Sequence, residues 1–330
     1  MIDGHGDDLF RYEGITVNFS SNIYAHADLE GLERHLCACM PLIRHYPEPP
    51  ACQLERMLAK EWGIAPEQVL VTSGATDAIY LIAQTFRDLR TFHVEYPTFS
   101  EYGDACRIFG YQEEKQGALA WLCNPNNPTG EVRSRESVID MTKRHEILVV
   151  DQSYEDYTLE PMMTADEAAE IDHLIQIRSM TKRYAVPGLR LGVVTAAEPV
   201  VSMLRHNYRP WAVNALAVEA GKWLVCHRQR ILPPLERYLS EARRLEACLN
   251  QLPEVVAYPS KTNFMLCEIK SHAAALLKDE LAVRKGMLIR DASNFTGLTP
   301  HHFRVAAQSP QENDRLVEAI RSFVQSSRKN

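Results

Sequence analysis

Lys182 and the polar residues around it are the part of the sequence with the clearest capacity for chemistry. Ser179 and Thr181 precede it closely, and Arg190 follows a short distance along the chain. A lysine that forms an imine must be partly deprotonated, and both burial and neighbouring cations lower the pKa of its amine. Hydroxyl groups and a guanidinium are good ligands for a phosphate dianion. The spacing therefore predicts a nucleophilic lysine next to a phosphate-binding site.

The elements on either side of Lys182 decide whether it can reach a ligand. An apolar strand pattern at Ile175 and Ile177 precedes it, and a second strand is predicted over Leu189–Val194. A polar stretch and a proline-glycine turn lie between them. We therefore expect Lys182 on a loop just beyond the end of a strand, where ligand-facing residues are common in α/β proteins.

A strand, a turn of small residues and a helix follow one another near residue 74. Val69–Thr72 is the predicted strand, Gly74-Ala75-Thr76 the turn, and Ala78–Phe86 the helix. Free backbone N–H groups and the dipole at the start of a helix attract anions. Thr76 or Asp77 could instead serve only as the N-cap of this helix. The glycine spacing does not match a nucleotide-binding loop.

Phe99, Asn127, Asp151 and Tyr154 each follow a predicted apolar strand. The strand before Asp151, Ile147–Val150, is continuously apolar, as a parallel strand buried on both faces should be. Ligands collect beyond the carboxyl ends of the strands in such a sheet. The alternative roles are a core aromatic for Phe99 and a helix cap for Asp151.

Two strings in this set resemble a known family. S-x-x-K followed by P-G-L-R-x-G, around Lys182, and N-P-N-N-P-T-G, which contains Asn127, are similar to motifs of the class I/II aminotransferase superfamily of fold type I. Members of that family carry pyridoxal 5'-phosphate (PLP), which the lysine holds as a Schiff base. The resemblance implies that Ser179 and Arg190 bind the cofactor phosphate. It also implies contacts of PLP with Gly74, Ala75 and Thr76 at the phosphate, Phe99 on the ring face, Asn127 and Tyr154 at the ring oxygen, and Asp151 at the ring nitrogen.

Tyr46 lies in a proline-rich segment, H-Y-P-E-P-P. On its own it would be a packed loop aromatic, because tyrosines bury readily when the hydroxyl finds a partner. The segment is similar to a Y-P-x-P stretch of the family in which the tyrosine reaches the cofactor phosphate of the partner subunit. The resemblance implies a homodimer with shared active sites.

Arg304 lies within an apolar strand pattern, F-R-V-A. A buried arginine without a partner is costly, so a carboxylate is expected beside it. In the family, the arginine that binds the substrate α-carboxylate has this sequence context. The alternative is an ion pair within the protein.

The alternation of strands and helices up to about residue 225 is typical of a parallel sheet with helices on both faces. After residue 233, longer helices alternate with short strands. We therefore expect an α/β protein with a large domain, built on a mostly parallel sheet flanked by helices, and a small α+β domain. The expected divisions are an N-terminal arm over 1–45, which packs with the small domain, a PLP-binding domain over 46–228 and the small domain over 229–330.

Composition narrows the class of protein. The net charge of -7 and the pI of about 6.0 argue against non-specific nucleic-acid binding. No apolar run reaches the roughly 18 residues of a membrane span, and the N-terminus lacks a signal-peptide pattern. The eight cysteines are scattered and the histidines show no metal-ligand spacing. We expect a cytoplasmic protein with reduced thiols, without a metal site, a membrane segment or a nucleic-acid partner.

Segments outside the cofactor motifs bear on the reaction. Asn18–Ile23 resembles D-F-S-x-N-I, Leu288–Phe295 resembles L-I-R-D-x-S-N-F, and His5-Gly6 resembles an H-G opening, all typical of L-threonine O-3-phosphate decarboxylases of cobalamin synthesis. These similarities favour decarboxylation through an external aldimine. The alternative is transamination, as in histidinol-phosphate aminotransferases. Residues 24–27, Y-A-H-A, depart from the usual N-P-x-G of the decarboxylases, which bears on the substrate.

The resemblance also suggests substrate contacts. His5, Arg290 and Arg183 are candidates for a substrate phosphate, and Asn22 is a candidate for the carboxylate alongside Arg304. A binding or regulatory protein that kept the fold and lost the chemistry is the alternative from another functional class. The cofactor residues whose presence argues against it are Lys182, Asp151, Asn127, Tyr154 and Arg190.

Overall fold

The structure, a computed structural model, describes residues 7–232 and 234–327. In this part of the chain a short arm precedes a seven-stranded sheet, and a four-stranded sheet follows it. The arm and the first helix of the large sheet are β1 (Val17–Asn18), α1 (Glu30–Cys39) and α2 (Cys52–Trp62). The large sheet and its helices are β2 (Val69–Thr72), α3 (Ala75–Thr85), β3 (Thr91–Val94), α4 (Glu101–Ile108), β4 (Gln112–Glu113), β5 (Leu119–Cys123), α5 (Arg135–Thr142), β6 (Ile147–Asp151), α6 (Ala165–Glu170), β7 (Leu174–Ser179), α7 (Met180–Arg183), β8 (Gly192–Ala196), α8 (Glu198–Asn207) and α9 (Ala215–Ile231). The C-terminal elements are α10 (Leu235–Asn250), β9 (Val255–Ala257), β10 (Phe264–Ile269), α11 (Ala274–Lys285), β11 (Met287–Leu288), β12 (Arg290–Asp291), β13 (His302–Ala306) and α12 (Pro310–Ser327).

The large sheet has the strand order β2-β8-β7-β6-β5-β3-β4. Strands β3 to β7 are parallel to one another, whereas β8 is antiparallel to both β7 and β2. The link from β7 to β8 holds one helical turn and a short 3-10 turn instead of a full crossover helix, so the chain returns antiparallel. The expected mostly parallel α/β sheet is confirmed.

Strand β6 shows how the sheet is buried on both faces. Leu148, Val149 and Val150 are all fully buried. Val149 packs into the cluster beneath α3 and α4, whereas Leu148 and Val150 pack against α5 and α6. Because successive side chains of a strand point to opposite faces, both sides of β6 exclude water. Burial of each such side chain stabilises the folded state by about 1.5–3 kcal/mol.

The C-terminal sheet is antiparallel, in the order β12-β13-β10-β9, and helices α10, α11 and α12 belong to the same core. The arm joins this region because β1 pairs in parallel with β11, with Val17 opposite Met287. Phe19 is fully buried in this core as well. These contacts support the proposed grouping of residues 1–45 with 229–330 around a large domain over 46–228.

Two local expectations near Lys182 are wrong. The stretch expected as a loop forms the one-turn helix α7, and the hydroxyl of Ser179 caps it by accepting from the backbone N–H of Lys182. The following strand begins at Gly192, because residues 187–189 form a 3-10 turn and Arg190 adopts a left-handed conformation. None of the helices that the structure describes is long and apolar enough to cross a membrane.

Candidate active site

A cavity of about 520 Å³ lies at the carboxyl edge of the large sheet. Parallel strands β5, β6 and β7 end together there, with Cys123 opposite Asp151 and Asp151 opposite Ile177. The arm and the C-terminal sheet close the other side. Residues predicted for the site that line this cavity are Ala75, Thr76, Phe99, Asn127, Asp151, Tyr154, Ser179, Lys182, Arg190, Arg290 and Arg304.

Lys182 extends from α7 into this cavity. Its Nζ donates a hydrogen bond to the backbone carbonyl of Ser21 at 3.0 Å. Burial, followed by repulsion from Arg304, lowers the pKa of the Lys182 amine to about 8. A buried ammonium with a neutral acceptor gives up its proton more easily than a solvated one, so the amine is prepared to act as a nucleophile.

A cradle for an anion surrounds the start of α3. Gly74, the residue before the helix, has φ of +86°, and a Cβ built there would lie 2.6 Å from Nη2 of Arg190. Gly192 is equally restricted, since a Cβ there would lie 2.5 Å from the carbonyl carbon of Gly74. The first backbone N–H groups of a helix have no partner within it, and they point outward from its start. Ser179 and Thr181 add a hydroxyl pair, 2.8 Å apart, that lines the same cavity.

Asp151 is a buried carboxylate at the end of β6. Its Oδ1 accepts from the backbone N–H of Ser153 at 2.9 Å and from the Ser153 hydroxyl at 2.5 Å. Its Oδ2 accepts from the hydroxyl of Tyr102 at 2.8 Å. Burial raises the pKa of Asp151, while the hydrogen bonds from Ser153 and Tyr102 oppose this rise.

Three aromatic rings pack in series beside Asp151, and two of them line the cavity. Phe99 lines the cavity and packs edge-on against Tyr102, with 5.7 Å between ring centroids. Tyr102 stacks on Trp121 at 5.3 Å. Tyr96, which lies three residues before Phe99, directs its hydroxyl to Glu113 at the sheet edge.

Arg304 is buried, and no carboxylate of the described residues lies within ion-pairing distance of it. Its guanidinium donates to Oδ1 of Asn127 and to the backbone carbonyl of Ser20, and its Nε has no partner. Burial lowers the pKa of Arg304 to about 10. The alternative of an ion pair within the protein therefore has no support among the described residues, and the arginine can receive an anion from a ligand.

Arg290 lies beside Arg304, because the two residues are opposite each other on β12 and β13. It donates to Oδ1 of Asn294 at 2.7 Å and lies over the ring of Phe295. Burial lowers the pKa of Arg290 as well. The cavity thus holds two neighbouring guanidinium groups near Lys182.

The other sequence candidates lie elsewhere. Asn22 is fully buried next to Tyr154 and does not line the cavity, and neither polar atom of its amide has a partner among the described residues. Arg183 faces Glu155 and Asp156 in a separate small cavity. Tyr46 is 84% exposed and contacts the ring of Trp211. His5 lies outside the described residues.

Residues 24–27, which depart from the decarboxylase pattern, do not line the cavity. Tyr24 packs edge-on against Tyr238, and His26 lies 2.8 Å from the carboxylate of Glu312. The backbone N–H of Tyr24 donates to the hydroxyl of Tyr157, which in turn donates to the carbonyl of Lys182. These residues therefore anchor the arm.

Sequence reasoning missed several cavity residues. Tyr102 follows the aromatic Phe99 at helical spacing, which was a usable signal. Ser20, Ser21, Asn294 and Phe295 lie in the segments that resemble the decarboxylases, and that resemblance was their signal, whereas Asp7 gave none because it reaches the cavity only through the fold. The missed lining residues are Asp7, Ser20, Ser21, Tyr80, Ser100, Glu101, Tyr102, Cys123, Ser153, Asn294 and Phe295.

One cluster away from the cavity could hold a metal. The ligand atoms of His35, Cys39 and Glu219 lie within 4.8 Å of one another. The ammonium of Lys222, however, lies 2.6 Å from the Glu219 carboxylate and already neutralises it. Sequence spacing had indicated no metal site, and it missed this grouping because Glu219 is on a different helix.

The cavity residues fit PLP. The glycine-lined start of α3, with Arg190 and two hydroxyls, suits the phosphate dianion. Lys182 has the lowered pKa that an imine requires. A buried Asp151 held by three donors suits a protonated ring nitrogen, and Phe99 offers an aromatic face.

Comparisons with known proteins agree with this site. The aminotransferase class I and II family model matches residues 111–320. A histidinol-phosphate aminotransferase from Thermoanaerobacter is 32% identical over 306 residues, covering 84% of each chain. A threonine-phosphate decarboxylase from Salmonella typhimurium is 29% identical over 334 residues, covering 93% of this chain and 91% of the relative.

A solved structure is similar over nearly the whole chain. L-threonine-O-3-phosphate decarboxylase from Porphyromonas gingivalis has a TM-score of 0.90 and 35% identity, and the match covers 94% of this chain and 99% of that one. Together with the family model and the relatives, this likeness shows both fold and family. The chain belongs to the class I and II aminotransferase family and is a PLP-dependent enzyme of fold type I.

Proposed function

We propose that this enzyme is an L-threonine O-3-phosphate decarboxylase of cobalamin synthesis. The observation that carries the proposal is the pair Arg290 and Arg304, which face each other across β12 and β13 and line the cavity of Lys182. Residues directly opposite in an antiparallel pair have Cβ atoms only about 5 Å apart. Besides burial, repulsion from Arg290 contributes to the lowered pKa of Arg304, and two buried cations that are close enough to repel each other favour a ligand with two anionic groups.

The substrate alternatives differ in this respect. Threonine phosphate carries a carboxylate and a phosphate in one molecule. Histidinol phosphate carries a phosphate and no carboxylate, and in the aminotransferase reaction the carboxylate belongs to the separate 2-oxo acid. The proposal is further supported by the segments that resemble the decarboxylases, because Ser20, Ser21, Arg290, Asn294 and Phe295 all line the cavity. The named activities of the Porphyromonas and Salmonella proteins agree with it.

Each cavity residue has a proposed task. PLP, when bound, supplies an electron sink for the bond that breaks at the substrate Cα. Lys182 would hold the cofactor covalently through its free amine and, as the ammonium, would donate the proton that replaces CO₂ at Cα. Arg304 binds the substrate carboxylate and Arg290 binds its phosphate. The cofactor is held by Gly74, Ala75, Thr76, Phe99, Asn127, Asp151, Tyr154, Ser179, Lys182 and Arg190.

We also propose a homodimer in which Tyr46 of the partner subunit completes the phosphate site. Tyr46 is 84% exposed in one chain, and apolar Ile43 and Trp211, which are exposed to 62% and 50%, lie on the same segment or in contact with it. Large exposed apolar groups that cluster mark an interaction surface. The substrate is a small, phosphorylated amino acid, and the expected location is the cytoplasm.

The test is incubation of the PLP-loaded enzyme with L-threonine O-phosphate, following CO₂ and 1-amino-2-propanol O-phosphate. Stoichiometric formation of both products supports the proposal. The aminotransferase alternative, favoured by the 32% identical relative, predicts no CO₂ and instead transfer of the amino group from histidinol phosphate to a 2-oxo acid. That result would overturn the proposed reaction.

A further inference from the structure

Tyr102 occupies a position that the assigned cofactor contacts do not explain. It lies in the first turn of α4, is fully buried, and has its ring fixed between Trp121 and Phe99. Its hydroxyl donates to Oδ2 of Asp151 at 2.8 Å. Because the ring is held on both sides, the hydroxyl has little freedom to choose another partner.

The hydrogen bonds of Asp151 divide unequally between its two oxygens. Oδ1 accepts both donors of Ser153, whereas Oδ2 accepts the hydroxyl of Tyr102. An ionised carboxylate offers about four acceptor sites. Three are occupied by these donors, which leaves one on Oδ2, and Asp151 lines the cavity. Tyr102 thus sets the direction in which the remaining site points.

The same hydrogen bond acts on the charge of Asp151. Burial favours the neutral acid, and donors to the carboxylate counteract it. The pKa of Tyr102 is raised well above its ordinary value by burial, so its hydroxyl stays a donor at any working pH. Loss of this donor would leave a buried carboxylate with the neighbouring Ser153 as its remaining support.

We propose that Tyr102 is a positioning residue that keeps Asp151 ionised and aimed at the ring nitrogen of the cofactor. The proposal rests on the assignment of Asp151 to that nitrogen and is independent of which substrate the enzyme takes. Because Tyr102 acts through Asp151, its effect on cofactor binding must require both the Asp151 carboxylate and the ring nitrogen of the cofactor.

The test is equilibrium binding of PLP to the apoenzyme of wild type and Tyr102→Phe. A hydrogen bond to a charged group is worth about one power of ten or more, so we expect PLP to dissociate about tenfold more readily from the variant. Tyr111→Phe is the matched control, because Tyr111 is buried in the same core cluster and its hydroxyl donates to the carbonyl of Ala83. The control is expected to bind PLP like the wild type.

Two further measurements separate positioning from packing. An analogue of PLP with C–H in place of the ring nitrogen is expected to bind equally to wild type and Tyr102→Phe. In the Asp151→Asn background, removal of the Tyr102 hydroxyl is expected to change PLP affinity no further. Equal PLP binding by Tyr102→Phe and wild type, or equal weakening for both cofactors, would overturn the proposal. If Tyr102→Phe does not fold, Ser153→Ala is measured with the two cofactors, because this variant leaves the Tyr102 hydroxyl as the remaining side-chain donor to Asp151. Retained preference for PLP over the analogue would support the proposal, and loss of that preference would overturn it.

Discussion

Arg290 and Arg304 are direct partners across strands β12 and β13, and both line the cavity into which Lys182 extends. Neither strand makes this pair alone, because a loop over residues 292–301 separates the two strands and the arginines meet only through antiparallel pairing. Burial lowers the pKa of both guanidinium groups. The cost of placing two cations together is offset when a ligand brings two anions.

Replacing these arginines one at a time should separate the effect of the carboxylate contact from the effect of the phosphate contact. Arg304→Gln is expected to lower kcat/KM for threonine phosphate by roughly a hundredfold or more, since losing one side of a buried charge pair costs about 2–5 kcal/mol. Arg290→Gln is expected to reduce the preference for threonine phosphate over threonine. Steady-state kinetics with both substrates measures the two effects. Arg284→Gln, on the exposed face of α11, is the control and should leave both unchanged.

Lys182→Ala is expected to abolish turnover while PLP still binds through Thr76, Ser179 and Arg190. The amine is the nucleophile and proton carrier, whereas the phosphate contacts do not involve it. Borohydride treatment followed by mass spectrometry should attach the cofactor to the wild type and leave the variant unlabelled. Lys261→Ala removes an exposed lysine paired with Glu160 and serves as the control. Near-wild-type turnover by Lys182→Ala would contradict the central assignment.

The lowered pKa of Lys182 predicts a pH-dependent stability of the apoenzyme. The amine titrates at about 8 in the folded state, against an ordinary value of 10.5. Between these values the unfolded chain binds more protons, so the free energy of unfolding rises with pH there, and below this window the full penalty of a buried ammonium applies. Lys182→Met is expected to stabilise the apoenzyme by about 3 kcal/mol at neutral pH, with a smaller gain in alkaline buffer.

Urea unfolding of the apo forms at neutral and alkaline pH measures this difference. Lys261→Met, an exposed position, should show no such trend. A stabilisation by Lys182→Met that is the same at both pH values would indicate better packing in place of relief of the charge.

Gly74→Ala should weaken PLP binding through steric and conformational effects. The residue has φ of +86°, and an added Cβ would lie 2.6 Å from Arg190. Gly110→Ala is a matched control, since Gly110 has φ of +83° with nothing within 4 Å of its Cβ position. Both variants are expected to lose about 1–3 kcal/mol of stability, because residues with a Cβ avoid a positive φ. Only Gly74→Ala is expected to raise the dissociation constant of PLP, measured by titration of the apoenzyme.

Shared active sites predict complementation between two defective subunits. Lys182→Ala and Tyr46→Ala are each expected to be impaired, and a mixed dimer would contain one intact site. Random assembly should therefore restore about a quarter of wild-type activity in a symmetric dimer. Co-expression with two tags and a rate assay measures this. If the co-expressed subunits show only the sum of the two variants' residual activities, Tyr46 does not contribute to the partner's active site.

Much of this protein was determined by local sequence. Apolar strands that end in polar residues predicted the places of Asn127, Asp151 and Tyr154, because a parallel strand buried on both faces has to be continuously apolar up to its ligand-facing end. The family resemblance, carried by short motifs around Lys182 and Asn127, predicted the cofactor and the fold class. Both were confirmed by the comparisons.

Contacts between distant segments were decided only by the tertiary structure. Tyr102 meets Asp151 across 49 residues, and Arg304 donates to Asn127 across 177. Sequence patterns report the burial of a side chain and cannot say which distant group it meets. The short helix at Lys182 and the reversal of β8 were missed for a related reason: the Ser179 cap and the pairing of β8 with β2 and β7 outweigh the local signals. Sequence thus determined which residues can do chemistry, and packing decided which of them act together.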